Sequence, residues 1–208
     1  MMPTTDLQLL KTFAADASED AFAELTRRHV DLVYSVALRQ VRSPQLAEEI
    51  SQSVFIDLSK NAARLAAGKT ESLTPWLYQV SRRTAIDVVR RESRRQLREQ
   101  LAVELTDMNN QPSLWSQIEP MLDEAMDSLD TVERDALLLR FFENKSLREV
   151  GESSGSSEDA AQKRVCRALD RLRHFFSKRG VAVGVGSLAA LLSAHAVQSA
   201  PLGLTTAI

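Results

Sequence analysis

The chain has 208 residues, 44% hydrophobic and 5% aromatic, with seven Gly and six Pro. That length holds one or two domains, and the abundance of Leu, Ala, Arg and Glu favours an all-helical protein. Its lone cysteine, Cys166, excludes an intramolecular disulfide framework and fits a reducing compartment. The histidines His29, His174 and His195 lie far apart without HxxH or HExxH spacing, and no CxxC occurs, so neither a metal nor a cofactor is expected. A net charge of −2 argues by itself against a nucleic-acid binder, but the distribution of charge argues for one. Residues 76–100 carry seven Arg against three acids, and residues 160–179 carry seven Lys/Arg against one acid. Between them, residues 101–159 carry fourteen acids against four bases. Two basic blocks around an acidic stretch suggest polyanion-binding surfaces, set against the plainer reading of solvated helix faces.

In chain order, Met1 to Ala21 lacks the basic start and apolar core of a secretory signal. Ser18, ahead of Glu19 and Asp20, opens a predicted helix from about 19 to 41, with apolar positions at Phe22, Leu25, Val30, Val33 and Val36. Ser43-Pro44 is a cap followed by proline at the first helical position, and the helix after it carries Leu46, Ile50, Val54 and Leu58 to about 65. A polar loop, 67–73, precedes Thr74-Pro75, which repeats the cap-then-proline signal. A third long helix runs from Trp76 toward about 105. The polar, Asn- and Pro-containing run Thr106–Ser113 reads as a linker. We take the linker as 106–117, separating a first domain (1–105) from a second (118–178). Asp130 with Glu133, and Ser146 with Glu149, are capping boxes. Ser157, ahead of Glu158 and Asp159, opens a last strong helix to about 178. From Gly180 to Ile208 there is no Asp, Glu, Lys or Arg. This apolar tail (179–208) has the length of a membrane span, but His195, Gln198 and Pro201 interrupt it. A tail packed on the protein or left loose is the favoured reading over membrane contact.

Two constellations carry the functional reading. The first, Ser146–Arg173, pairs a short capped helix with a longer one across a turn holding Gly155, the helix-turn-helix pattern. On the second helix Ala161, Val165, Ala168, Leu169, Leu172 and Phe176 make one apolar stripe, with the basic residues on the other side. In such motifs the second helix enters the major groove with its N-terminal end on the bases. Ser157, Glu158, Asp159, Gln162 and Lys163 would then face base edges, while Arg164, Arg167 and Arg171 would hold phosphates. Ser153 and Ser154 stand where an apolar residue would anchor the first helix, which predicts a loosely packed turn. The alternative is a plain αα-hairpin with a basic face. The second constellation begins at Thr74. Trp76 and Tyr78 are candidate stacking platforms, and Arg82, Arg83, Arg90, Arg91, Arg94, Arg95 and Arg98 line solvent faces, which suits single-stranded DNA. The alternative is that both rings belong to the core. An ion pair such as Asp87–Arg91 would decide nothing, at about 0.3–0.5 kcal/mol.

These constellations, in this order and around an acidic linker, resemble the small extracytoplasmic-function (group IV) sigma factors of bacterial RNA polymerase over residues 7–178. The run Ala47-Glu-Glu-Ile-Ser-Gln-Ser-Val-Phe is similar to the family's polymerase-binding helix, and the resemblance implies contacts from Glu48, Glu49, Gln52 and Phe55. The stretch Trp76-Leu-Tyr followed by Ala85-Ile-Asp-Val-Val-Arg-Arg is similar to the segment that opens and reads the −10 element. That implies DNA roles for Trp76, Tyr78, Arg82, Arg83, Asp87, Arg90 and Arg91, with residues 61–73 as the loop that captures a flipped base. Leu129–Leu172 is similar to the C-terminal domain, whose helix-turn-helix reads the −35 element. Arg83 stands where Asn is common, Ser154 and Ser156 stand where apolar residues are usual, and the tail is outside the family pattern. The resemblance implies two small helical domains, RNA polymerase core and promoter DNA as partners, control by an anti-sigma factor, a cytoplasmic location and no enzymatic activity. The competing readings are a stand-alone helix-turn-helix regulator and, from the tail, a membrane-tethered helical adaptor.

Overall fold

Thr5 closes a full capping box with Gln8 and starts α1 (Asp6–Asp16), a helix the sequence reading passed over. The structure, a computed structural model, describes residues 4–68, 72–99, 113–201 and 203–208, and all its regular elements there are helical. Ser18 accepts from Ala21 N and opens α2 (Glu19–Val41), which ends where Arg42 turns left-handed at φ 51°. One residue on, Ser43 caps α3 (Pro44–Ala66) with proline in the first turn. The cap of α4 (Thr74–Glu99) falls one residue earlier than the Thr-Pro signal suggests. Leu77 N bonds to Leu73 O, so Thr74 already lies inside the helix. Its buried hydroxyl has no hydrogen-bond partner, and Ser72 Oγ accepts the Thr74 N–H at 3.2 Å instead.

These four helices close a first core from Leu10, Leu25, Val33, Val36, Ile50, Val54, Phe55, Leu58 and Leu77. Each such side chain contributes about 1.5–3 kcal/mol when fully buried. Phe22 links α1 to α3, stacked on Phe13 at 4.7 Å and edge-on to Phe55 at 6.4 Å. At the start of α1, Asp6 holds His29 at 2.6 Å and Arg28 at 3.1 Å on α2.

Helix precedes the expected boundary at 118. Ser113 caps α5 (Leu114–Asp127), so residues 114–117 are helix rather than linker. Residues 106–112 of the expected linker, part of the loop at 69–71, and the side chains of Arg94, Arg95 and Arg98 lie outside the described residues. Asp130 accepts from Glu133 N at 2.9 Å and starts α6 (Thr131–Leu137). A π-helical turn, Leu138–Phe142, follows without a break. Its wider winding sends Leu138, Leu139, Phe141 and Phe142 all inward, which a uniform 3.6-residue period does not do. Ser146 and Glu149 form both halves of the capping box of α7 (Leu147–Ser153). Ser157 caps α8 (Glu158–Lys178), whose six predicted apolar residues are all buried.

The tail is packed, not loose. Gly180, at φ 84°, reverses the chain after α8, and Val181 N returns to Phe176 O. Next, α9 (Val185–His195) lies on α8 and the π-turn through buried Leu188 and Leu192. Finally α10 (Leu204–Ala207) lies on α2. Among the described residues no helix is long and apolar enough to cross a membrane.

Candidate nucleic-acid interface

The helix-turn-helix is set by two glycines, of which composition pointed to one. Gly155 takes the turn at φ 60°, as its position predicts. Gly151, inside α7, has the tighter constraint. A Cβ there would sit 2.8 Å from Ser156 O and 2.9 Å from Ser157 C. The bare Cα therefore lets the turn lie directly on α7, and Ser156 N donates to Gly151 O at 2.8 Å. A glycine inside a well-capped seven-residue helix was the available signal. The expectation of a loose turn is corrected. Ser154 Oγ donates to Val150 O at 2.7 Å and lies 3.1 Å from Ser156 Oγ. Arg164 Nη1 closes the triangle at 3.2 and 2.9 Å. The serines fix by hydrogen bonds what an apolar anchor fixes by contact.

That geometry divides the predicted reading residues. Glu158, Asp159, Gln162, Lys163 and Arg167 are exposed on the first turns of α8. The Ser157 hydroxyl is occupied by capping, accepting from Ala160 N at 3.2 Å. Arg164, assigned to phosphate, is instead half-buried on the serine turn. Arg171, also assigned to phosphate, pairs with Glu133 at 2.8 Å and Asp130 at 3.4 Å and fastens α8 to α6. Burial pushes the Glu133 carboxyl up, the Asp130 charge adds to this, and Arg171 opposes both. Arg173 and His174, to which the sequence reading gave no DNA contact, are exposed further along α8.

On α4 the surface residues are Arg83, Asp87, Arg90 and Arg91, with Asp87 nearest Arg90 at 3.9 Å rather than paired to Arg91. Arg82 is partly covered and bonds Asp127 of α5 at 2.6 Å. Arg82, Arg83, Arg90 and Arg134 share a cleft of about 440 Å³ between α4 and the second unit. Trp76 is half-buried. Tyr78 is not an exposed platform: its side chain is only 1% exposed and its ring stands edge-on to Phe142 at 5.9 Å. Burial, then the charge of Asp123, push its phenol well above the usual range, so it donates to Asp123 Oδ1 at 2.8 Å as a neutral hydroxyl. On α3, Glu49 is exposed and Glu48 and Gln52 are partly so. Phe55 is corrected as well: it is fully buried, and the neighbouring Ile56, 53% exposed, is the apolar side chain on that surface.

The two units meet around Asp123. Arg39 Nε and Nη2 approach it at 3.4 Å, Gln40 Nε2 at 2.7 Å and Tyr78 from the third side. Arg39 also donates to Ala196 O of the tail at 2.8 Å and lies over the Phe142 ring at 5.6 Å. Nearby, Ser72 Oγ donates to a Glu143 carboxylate oxygen.

A helix-turn-helix unit joined to a helical unit with an arginine-lined α4 defines a DNA-binding protein of the transcription machinery. The family models for Sigma-70 region 2 and Sigma-70, region 4 match residues 25–95 and 125–174. The chain belongs to the extracytoplasmic-function sigma factor family and directs RNA polymerase to promoters; it is not a stand-alone regulator. It is 29% identical over 168 residues to RNA polymerase sigma factor CarQ of Myxococcus xanthus, covering 78% of this chain and 93% of that protein. It is 28% identical over 167 residues to ECF RNA polymerase sigma factor SigE of Mycolicibacterium smegmatis, covering 78% of this chain and 64% of that one. The solved structure of CnrH in complex with the cytosolic domain of CnrY aligns with 83% of this chain and 97% of its own, at 18% identity and a TM-score of 0.43.

Proposed function

We propose that the second unit, residues 113–178, reads duplex −35 DNA through α8, and that the first unit opens and reads the −10 element through α4. Gln162 and Lys163 are the base readers. Gln pairs two-pronged with adenine, Lys with guanine, and Glu158 and Asp159 accept from cytosine N4. Arg167 holds phosphate. On α4, Arg83, Arg90 and Arg91 follow the single strand, Asp87 lies among them, and Trp76 supplies the stacking face. The polymerase contact runs over Glu48, Glu49, Gln52 and Ile56 on α3. The protein works by binding alone: base capture of about 1–3 kcal/mol per stacked base offsets unpairing, with no bond made or broken. Work on the polymerase places it in the cytoplasm.

The observation that carries this reading is the exposure of Gln162, Lys163 and Arg167 on the leading turns of a helix whose entry is held rigid by Gly151. The test is transcription from a promoter library with purified polymerase core, followed by sequencing of transcript starts. A shared −35/−10 pair is expected, and Gln162→Ala with Lys163→Ala alters only the −35 preference. No core-dependent initiation, or a −10 shift from the α8 changes, contradicts the assignment.

A further inference from the structure

We propose that the C-terminal tail, residues 181–208, is an intramolecular clamp that holds the two units shut until polymerase core releases it. The proposal rests on the reading of α4 given above.

The tail grips both units at once. On the second, Leu188 and Leu192 are buried against α8 and the π-turn. The His195 ring lies tilted against Trp115 of α5, centroids 5.3 Å apart. On the first, Ser35 Oγ donates to Gln198 O at 2.9 Å and accepts from Gln198 N at 2.6 Å. Ala200 N donates to Asp31 Oδ1 at 2.8 Å, and Leu204 is buried on α2. Ala196 O takes the one Arg39 nitrogen that points away from Asp123. A single segment thus contacts both units, adding main-chain hydrogen bonds on the first.

The closed arrangement engages the start of α4. Ser72 and Tyr78 are buried with direct bonds to the second unit, and Arg82 is drawn onto Asp127. Gln79, Arg83, Asp87, Arg90 and Arg91 stay exposed. The direct contact between the units holds a buried polar hub, the Arg39–Asp123 pair with Gln40 and Tyr78, beside the Tyr78–Phe142 ring contact. A buried ion pair adds little net stability, because desolvation offsets its attraction. The apolar tail residues therefore add to what holds the units together.

Promoter geometry requires them to part. Elements centred about 25 base pairs apart lie about 85 Å apart along the duplex at 3.4 Å per step. A compact chain of 208 residues has a radius of gyration of about 17 Å, too small to touch both sites at once. The closed chain is therefore a storage form, and free protein binds promoter DNA poorly.

Two full-length variants test the clamp. Leu188→Asp with Leu192→Asp places charge in the buried tail contact. Its radius of gyration in solution scattering should rise by several ångströms above about 17 Å. Half-maximal transcription should need at least fivefold less of it. Ser35→Cys with Gln198→Cys, in a Cys166→Ser background, locks the tail to α2 when oxidised. The oxidised form should transcribe at least tenfold less than the same chain after reduction. A released variant that stays compact, or oxidised and reduced forms of equal activity, overturns the clamp. If the aspartate variant loses its helical circular dichroism, the locked chain decides alone. If the wild-type and reduced chains give no core-dependent transcription, the reading of α4 fails, and scattering of the released variant still judges the clamp.

Discussion

Replacing Gly151 with alanine sets two effects of known size against each other. Helix propensity alone favours the change, by up to about 1 kcal/mol in a helix interior. Packing opposes it. The added methyl would lie 2.8 Å from Ser156 O, 2.9 Å from Ser157 C and 3.0 Å from Ser157 O. Attractive contact between heavy atoms begins near 3.5 Å, so the turn must retreat by about 0.6 Å. All three atoms are backbone, so no side-chain rotation relieves the contact. The Ser156 N to Gly151 O bond and the Arg164 contacts move with it. Overpacking of this kind costs about 1–3 kcal/mol, and setting the full propensity gain against it leaves a net loss of about 0–2 kcal/mol. For a chain of this size that lowers Tm by up to about 8 °C. Thermal and urea unfolding read the loss, and −35 retention in the presence of core reads the displacement of α8. Gly155→Ala is the control: it has open space but φ 60°, so it pays a backbone cost of about 1–2 kcal/mol without pushing the turn off α7. A Gly151→Ala protein more stable than wild type would refute the close-approach argument.

Asp123→Ala leaves Arg39 buried with only Ala196 O and strips an acceptor from Gln40 and Tyr78, so urea unfolding should show a loss of about 3–5 kcal/mol; a loss below about 1 kcal/mol is incompatible with a buried hub. The α1–α2 contact should weaken in acid. Burial raises Asp6, but the hydrogen bonds and charges of His29 and Arg28 outweigh it and leave its carboxyl below the usual range. Its folded value lies below the unfolded one, so the stabilisation is complete well above the ordinary carboxylate pKa of about 4 and fades as pH falls below it. Hydrogen exchange of the α1 amides should accelerate in that window, and slower exchange there would reverse the sign of the argument. At the DNA surface, Gln162→Ala should cost about 1–3 kcal/mol at one base position. Arg167→Ala should weaken all sequences alike and reduce the salt slope by about 1, both measured by competition with core present.

Five helix starts were legible because a cap is a local event. Ser18, Ser43, Asp130, Ser146 and Ser157 each bond a backbone N–H three residues ahead, and spacing alone reveals that. The apolar stripe of α8 was legible for a related reason, since one face of one helix carries its period. Phe55 and Ile56 show the limit. Both are large and apolar, they are adjacent, and only packing against Phe22 determines which turns inward. Tyr78 shows it again, because it is buried by a partner 45 residues away in sequence.

The order of charged blocks, the capped helices and the Gly-turn between α7 and α8 follow from the amino-acid sequence alone, since each depends on residues within a few positions of one another. Which arginines are tied to other parts of the fold was decided by tertiary structure. Arg82, Arg164 and Arg171 look like their neighbours along the chain, yet each is drawn to a carboxylate or hydroxyl that folding brings near. The place of the uncharged tail was decided the same way. Its composition fits a membrane, a core or solvent-facing coil, and only the surface of α8 together with α2, which lies more than 150 positions from the tail in sequence, supplies the apolar contact and main-chain partners that hold it.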